Sequence, residues 1–428
     1  MDEHPSGGLR LIFVRMNTAA SDLQCDIAIC GGGLVGATLA LALKQLDFDV
    51  LLIEAHAPQA QSHPSFDDRT TALSNGSRRI LEALNVWPLV AREATPIKRI
   101  HVSDRGRFGF ARLDAAEQGI DALGFVITNR VLGAALWRRL KEQSIATCMP
   151  ARITNAGVSA GHHAISIARD DGQRTVCAKL AVAADGAQSL VRSESGVNAE
   201  QWDYQQHALI ANVVSQRFHD HVAYERFTPQ GPLALLPLNE GRLGLIWTFH
   251  PDLAKTMIDL SDAAFLAKLQ DAFGFRLGRF THVGARQMYP LALTRSDTHV
   301  ATRLAIVGNA AQSLHPIAGQ GFNLGLRDAA SLAEVLADGR REGGASFDPG
   351  DGMWLEQYRQ WRASDQQGIV RFTDGLVRVF TQPFAPIKAL RDLGLLAFDL
   401  MPSAKSALAQ LSLGAAGRIP KLARGAKL

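Results

Sequence analysis

Three short stretches of this chain carry residue types at spacings that can hold a nucleotide. The first is Gly31-Gly-Gly-Leu-Val-Gly36, followed at a distance by Glu54. In a strand–turn–helix setting, Gly31 permits the tight turn, Gly33 lets a pyrophosphate approach the backbone, and Gly36 lets helix and strand pack closely. Glu54 then closes a second strand where a ribose hydroxyl needs an acceptor. The second stretch is Asp185-Gly186-Ala-Gln-Ser189-Leu-Val-Arg192. An acid-glycine turn after a buried strand puts a carboxylate at the ligand edge of a sheet, although Asp-Gly by itself is also an ordinary turn. The third runs from Gly308-Asn309 through His315-Pro316 to Gly319-Gln320-Gly321-Phe-Asn323 and on to Arg327-Asp328. A helix entered through glycines presents unpaired N–H groups and the positive end of its dipole. Such an end suits an electron-rich, anionic ligand.

The flanking sequence supplies the elements that must position these residues. Cys25–Cys30 and Val50–Ile53 are apolar enough for buried strands, and Ala37–Leu46 is rich in the helix formers Ala and Leu. Leu180–Ala184 and Leu304–Val307 supply the strands that precede the second and third stretches, and a helix is expected to run to about Ala337. The whole context specifies a dinucleotide, but one fingerprint does not separate FAD from NAD. Arg69 precedes a helix expected over Arg78–Leu84 with Ser77 as its cap. It is either a surface arginine or a donor to phosphate and ribityl oxygens.

Further along, Ile97–Phe110 fits a hairpin, Asn129–Leu140 an amphipathic helix, and Arg152–Val158, Ala164–Ala168 and Val176–Ala183 a meander. Ala208–Met288 is strand-rich: Ala208–Val214, Tyr224–Phe227, Leu233–Pro237 and Arg242–Phe249, with a helix over Asp262–Phe273. Leu235, Leu236, Leu238, Leu245 and Trp247 are expected to share one apolar sheet face, either core or the wall of a hydrophobic ligand site. A glycine-rich break spans Gly339–Gly352, and helices follow at Trp354–Phe380 and Leu390–Met401.

A chain of 428 residues exceeds one ordinary core, so two or three domains are expected. Hydrophobic residues at 47% and charged residues at 20% exclude a disordered or fibrous protein. A formal net charge of +4 is too small to argue for nucleic acid. Cys25, Cys30, Cys148 and Cys177 show no metal spacing; the first, second and fourth lie in strands and Cys148 just ahead of one. Reduced thiols in a cytosolic protein are the expectation. Residues 1–21 are expected to be disordered, with Met16 an alternative start. No stretch approaches the roughly 20 apolar residues of a spanning helix, so any membrane role is peripheral. The tail from Pro402 onward holds Lys405, Arg418, Lys421, Arg424 and Lys427 without an acid. It is either a lipid- or partner-touching segment or a solvated, frayed terminus.

Taken together, the three stretches resemble the single-component FAD-dependent aromatic hydroxylases of the para-hydroxybenzoate hydroxylase fold. Within them the chain is similar to the ubiquinone-biosynthesis hydroxylases, over about residues 22–415. The wording of Gly308–Asp328 is most similar to the 2-octaprenyl-6-methoxyphenol hydroxylase branch. Arg69-Thr-Thr-Ala-Leu-Ser74 and Leu390–Leu400 also read like that family. The wider hydroxylase pattern has Gly-Asp where this chain has Gly308-Asn309. Asn309 keeps an acceptor oxygen, adds a donor and loses the charge.

The resemblance implies an α/β fold: a Rossmann-like FAD-binding domain (22–97, 119–198 and 291–345) interleaved with a β-sheet substrate domain (98–118 and 199–290). A helical C-terminal region would occupy 346–428. It implies bound FAD, NAD(P)H as a transient reductant, and O2 inserted into the ring of a polyprenylated phenol. Arg69, Arg130, Asp185 and Asn309 would hold the ribityl chain and its neighbours. Gly319, Gln320, Gly321 and Asn323 would stabilise charge on the flavin ring. His315 either assists phenol deprotonation or simply packs before Pro316. No metal site is expected. Peripheral contact with the cytoplasmic face of a membrane, or with a quinone-biosynthesis complex, is consistent with the apolar and basic C-terminal region. The rival readings are another flavin oxidoreductase of the same fold and a non-catalytic subunit of such a complex.

Overall fold

The computed structural model describes residues 22–57, 69–106, 110–313, 319–363 and 417–428. His315, the helix expected at Leu390–Met401, Lys405 and the 1–21 extension lie outside them, as does the side chain of Gln320. The described residues form an α/β fold around two large sheets and one small one.

The first sheet is built on five parallel strands in the order Leu304–Ile306, Gly172–Ala183, Leu23–Cys30, Val50–Ile53, Ala146–Cys148. Their sequences are continuous apolar runs because both faces are covered. The helices Leu34–Lys44, Asn129–Glu142 and Gln320–Gly343 pack against it, with Leu39, Leu43, Leu136, Leu332 and Leu336 fully buried. The strands Arg152–Ser159 and His162–Arg169 extend Gly172–Ala183 as the expected meander. Cys148 closes a strand instead of preceding one; the pairing Ile53 with Cys148 holds it there.

The second sheet is nine-stranded and almost wholly antiparallel. Ala199–Ser215 is its spine, pairing with Arg242–Phe249 on one side and Gln287–Ser296 on the other. Gly231–Pro237, Val222–Thr228, Arg99–Asp104 and Phe110–Asp114 follow outward. The last two form the expected hairpin. The strand Gln287–Ser296 runs across residue 290, the expected edge of the substrate segment, because it pairs along the spine from Ile210 back to Ala199.

The apolar set expected on one face is divided between two. Side chains alternate along a strand, so Leu235, Leu245 and Trp247 turn toward the helices Pro251–Ile258 and Asp262–Phe273, where they are buried with Phe265 and Leu269. Leu236 turns the other way, together with Leu238, toward the third sheet: Thr70–Ser74, Gly124–Thr128 and Thr95–Ile97.

Other local expectations shift for identifiable reasons. The cap of the helix Asn75–Ala83 is Ser74, whose hydroxyl accepts from the Ser77 N–H at 3.1 Å; Ser77 is already inside the first turn. The helix that begins at Gln320 does not stop near Ala337 but runs to Gly343. Gly339 is there for close packing, since a Cβ on it would lie 2.5 Å from the Phe347 ring and 2.8 Å from that of Trp354. The tail is docked, not frayed, over 417–428. Leu422 and Ala423 are buried in the first core, Lys421 Nζ reaches Asp338 at 3.0 Å, and its backbone N–H donates to Glu334. No helix among the described residues is long and apolar enough to cross a membrane.

Candidate active site

Strand register brings the three stretches to one edge. Cys30 lies beside both Ile53 and Ala183, Ala183 beside Ile306, and Ile53 beside Cys148. All these strands are parallel, so the residues that follow them, Gly31, Glu54, Asp185 and Gly308, emerge together at their C-terminal ends. That edge is where open α/β sheets take ligands.

The first stretch is tightly constructed. Gly31 has φ +111°, and a Cβ on it would sit 2.4 Å from the Ala184 carbonyl oxygen. A Cβ on Gly36 would lie 2.0 Å from the Gly31 carbonyl oxygen. Gly32, outside the fingerprint positions, is equally constrained: its N–H donates to Glu54 Oε2 at 2.7 Å and its carbonyl accepts from Trp137 Nε1 at 3.0 Å. Glu54 also accepts from the His56 N–H at 2.8 Å. The strand-end acid is thereby fixed in place beside the glycine turn. Trp137 was visible in sequence only as one apolar residue of a helix.

The second and third stretches interlock with the first. Arg192, buried, donates from Nη1 to the carbonyls of Ala187 at 3.2 Å and Ala310 at 2.8 Å. Val35 fits between Gly308 and Gly325, where added Cβ atoms would approach its methyls to 3.2 and 2.8 Å. Asp185 Oδ2 accepts from the N–H groups of Leu190 (2.9 Å) and Val191 (3.3 Å). Its Oδ1 is buried without a hydrogen-bond partner among the described residues. Burial raises the Asp185 pKa, while bonds from Ser189 and these amides oppose the rise. A buried acceptor short of a donor, at the ligand edge of the sheet, is what a hydroxyl-bearing ligand would satisfy.

Asn309 sits exposed in the turn Gly308–Ala310 while both neighbours are buried, so its side chain is available to a ligand. Behind it, Asp328 does work that the sequence did not reveal. Its Oδ2 accepts from the Gly308 N–H at 3.1 Å and its Oδ1 from Arg362 Nε at 2.8 Å, both side chains at 0% exposure.

Gly319 opens the long helix in a left-handed conformation, φ +59°. Asn323 spends its amide on protein: Oδ1 accepts from the Ser74 N–H (2.8 Å) and Ser77 Oγ (2.7 Å), and Nδ2 donates to the carbonyls of Ala72 (2.9 Å) and Gly319 (3.0 Å). Its role here is to clamp the helix start to the strand Thr70–Ser74. Gly321, by contrast, has nothing within 4 Å of a Cβ position. Neither the Leu34 nor the Gln320 helix carries a side-chain cap, whereas the helices starting at Asn75, Leu190 and Asp262 are capped by Ser74, Ser189 and Ser261. The helices starting at Trp87, Asn129 and Pro251 also lack a side-chain cap, but the Leu34 and Gln320 starts are those of the glycine-rich stretches, where first-turn N–H groups are left for a ligand.

Arg69 lies over the Tyr289 ring, 4.8 Å from its centroid. The Asn129 N–H donates to the Arg69 carbonyl at 2.9 Å, so Arg69 and Arg130 stand at the same end of the small sheet. Arg130 is exposed and lines a cavity of 180 Å³ with Glu93, Thr128, Asn212 and Arg242. The donor set as a whole fits a dinucleotide: glycine cradle, strand-end acid, open helix starts and an unsatisfied buried carboxylate oxygen.

Comparison with known proteins agrees with this geometry. The FAD binding domain family matches residues 24–373. Ubiquinone hydroxylase UbiL of Rhodospirillum rubrum is 38% identical over 418 residues, covering 96% of this chain and 95% of that protein. The 3-demethoxyubiquinol 3-hydroxylase of Escherichia coli K12 is 33% identical over 391 residues, covering 87% of this chain and 94% of that one. Among solved structures, p-nitrophenol 4-monooxygenase PnpA of Pseudomonas putida shares the fold with TM-score 0.76 at 18% identity, covering 92% of this chain and 99% of that one. With a nucleotide edge built from all three stretches and relatives matched end to end, the chain is a FAD-dependent monooxygenase and belongs to the ubiquinone-biosynthesis hydroxylase family.

Proposed function

We propose that this enzyme hydroxylates the aromatic ring of a polyprenylated phenol on the way to ubiquinone, using NAD(P)H and O2. One observation carries this reading: the nucleotide edge lies beside a half-open, largely apolar face of the second sheet. The strand Thr70–Ser74 joins the two. It is clamped to the helix start by Asn323, and Thr70 lies 2.9 Å from where a Gly244 Cβ would stand.

FAD, when bound, supplies the redox chemistry that activates oxygen. The chain supplies the rest. Gly31, Gly33 and Gly36 admit the pyrophosphate, and Glu54 accepts from a ribose hydroxyl. Arg69, Arg130, Asp185 and Asn309 hold the ribityl chain and its neighbours. The backbone at Gly319, Gln320 and Gly321 directs the positive end of a helix at the ring system, where negative charge develops on reduction. The sheet face excludes water from the phenol and orients it. A polyprenyl tail keeps such a substrate in lipid, so the reading includes peripheral contact with a membrane surface.

Purified protein given NADPH, O2 and a short-chain prenylphenol should yield a product heavier by one oxygen atom. Consumption of NADPH without any oxygenated product would overturn the reading. Asn309→Asp tests the ribityl assignment separately. A charge-assisted hydrogen bond is about twice as strong as a neutral one, so FAD affinity should hold or rise several-fold by flavin fluorescence titration. Loss of flavin in that variant would remove Asn309 from the site.

A further inference from the structure

One register row crosses the second sheet on its site-facing side: Val102, Glu225, Ala234, Ile246 and Ile210, each paired with the next. Neighbouring strands lie about 4.8 Å apart, so this row is a floor wide enough for an aromatic ring and the start of its tail. Every member is half-buried, whereas the residues that alternate with them in the same strands, Tyr224, Leu235, Leu245 and Ala211, are sealed under the helices. The row therefore lies on the face turned away from those helices, the face on which the small sheet packs. Glu225 is its only ionisable member.

The surroundings of Glu225 on this face are apolar: Ala223 and Phe227 on its own strand, Val102 beside it, Ala234 and Leu236 on the next strand. The Leu113 and Ala111 side chains continue this surface outward. The strands of the small sheet bring no titratable residue toward it: Thr70–Ser74, Thr95–Ile97 and Gly124–Thr128 contain none. Asp104 is the titratable group on this face of the adjacent strand, two positions along; Arg69 and Tyr289 stand across the sheet. None of them moves the Glu225 carboxyl. Burial raises its pKa to about 7, with no ion pair or hydrogen bond contributing among the described residues. A carboxylate set alone in an apolar wall is costly to the fold, and functional sites are where such costs concentrate.

We propose that Glu225 is the general base that removes the hydroxyl proton of the phenol. This rests on the reading of the substrate as a phenol. The phenol O–H bond breaks, its electron pair stays on the oxygen and enriches the ring carbons, and the proton moves to the Glu225 carboxylate. The proton passes to water before the next turnover. A phenol titrates near 10 and an ordinary Glu near 4.3, so an unperturbed carboxylate would face a gap of roughly six units. Raised as it is, Glu225 narrows that gap to about three and stands close to the working pH.

The test uses the FAD-loaded enzyme and 2-methoxy-6-geranylphenol as probe. Binding to the oxidised enzyme is followed by the perturbation of the flavin absorbance band, which requires no turnover. Bound probe should stay neutral phenol in both proteins until near pH 10, whereas wild-type kcat should rise as pH passes through about 7 and the carboxylate ionises, and Glu225→Gln should lack that rise. In turnover, Glu225→Gln should lose about 10²- to 10⁴-fold in kcat at neutral pH and recover as the medium ionises the phenol. Glu225→Asp, with FAD content as the check on folding, should keep the pH dependence at reduced rate. A Glu225→Gln profile that matches wild type would overturn the role of Glu225 alone. Wild-type enzyme that holds FAD but binds no phenol would overturn the substrate reading, and the role of Glu225 with it.

Discussion

Asp328→Ala is expected to destabilise the protein by about 3–5 kcal/mol, measured by urea unfolding of the holoenzyme. The substitution removes the buried carboxylate to which Arg362 Nε donates and takes the acceptor from the Gly308 N–H. Both side chains have 0% exposure, so water cannot replace what is lost. The opposite single change, Arg362→Met, takes the buried guanidinium from the carboxylate and should cost a similar amount. The double variant Asp328→Leu, Arg362→Met should recover much of the loss, because replacing a buried pair by apolar groups of similar volume is often near neutral. Its residual defect then reports the Gly308 bond. A loss below about 1 kcal/mol in either single variant, the scale of a surface pair, would show that the interior is not closed around this pair.

The second large effect separates glycines that serve the fold from one that serves the ligand. Gly36→Ala drives a methyl to within 2.0 Å of the Gly31 carbonyl oxygen. Helix and turn must separate, so stability and bound FAD should fall together. Gly321→Ala places its methyl in open space at the start of a helix. The fold should be unharmed or gain up to about 1 kcal/mol, the usual difference between Gly and Ala in a helix. FAD should nonetheless bind more weakly, since the methyl occupies the approach to the uncapped amides. Thermal melts of apoprotein and flavin-to-protein ratios measure the two quantities independently. Equal FAD affinity in Gly321→Ala and wild type would move the flavin away from this helix start.

These tests also show where sequence was informative. Buried parallel strands are written as uninterrupted apolar runs, so Leu23–Cys30 and Val50–Ile53 were legible with the turn between them. Asp262–Phe273 matched to the residue because Ser261 caps it and Gly274 follows it. Thr70–Ser74 was missed as a strand: it has five residues, three of them hydroxylic, and owes its conformation to pairing with Gly124–Thr128. Leu236 was assigned to the wrong company because a strand apolar on both sides gives no sign of which face each residue takes. The motif glycines were legible, but the residues that fasten them were not. Trp137, Arg192 and Arg362 act over 105, 118 and 34 positions, and nothing in local spacing marks their partners. Glu225 is of the same kind. It is an unremarkable acid in a strand until register places it alone on an inward face.

The nucleotide half is sewn shut by contacts between distant parts of the chain. Asn323 reaches back 249 positions to Ser74, Arg340 reaches back 294 to Leu46, and Leu422 settles into the core that the first helix begins. A chain emerging from the ribosome thus exposes the apolar flanks of its first strands for most of its synthesis. The long loops must close before any of those contacts repays them. Flavin capture belongs to the end of that process, and until then the nascent protein depends on whatever shields unfinished sheets from one another.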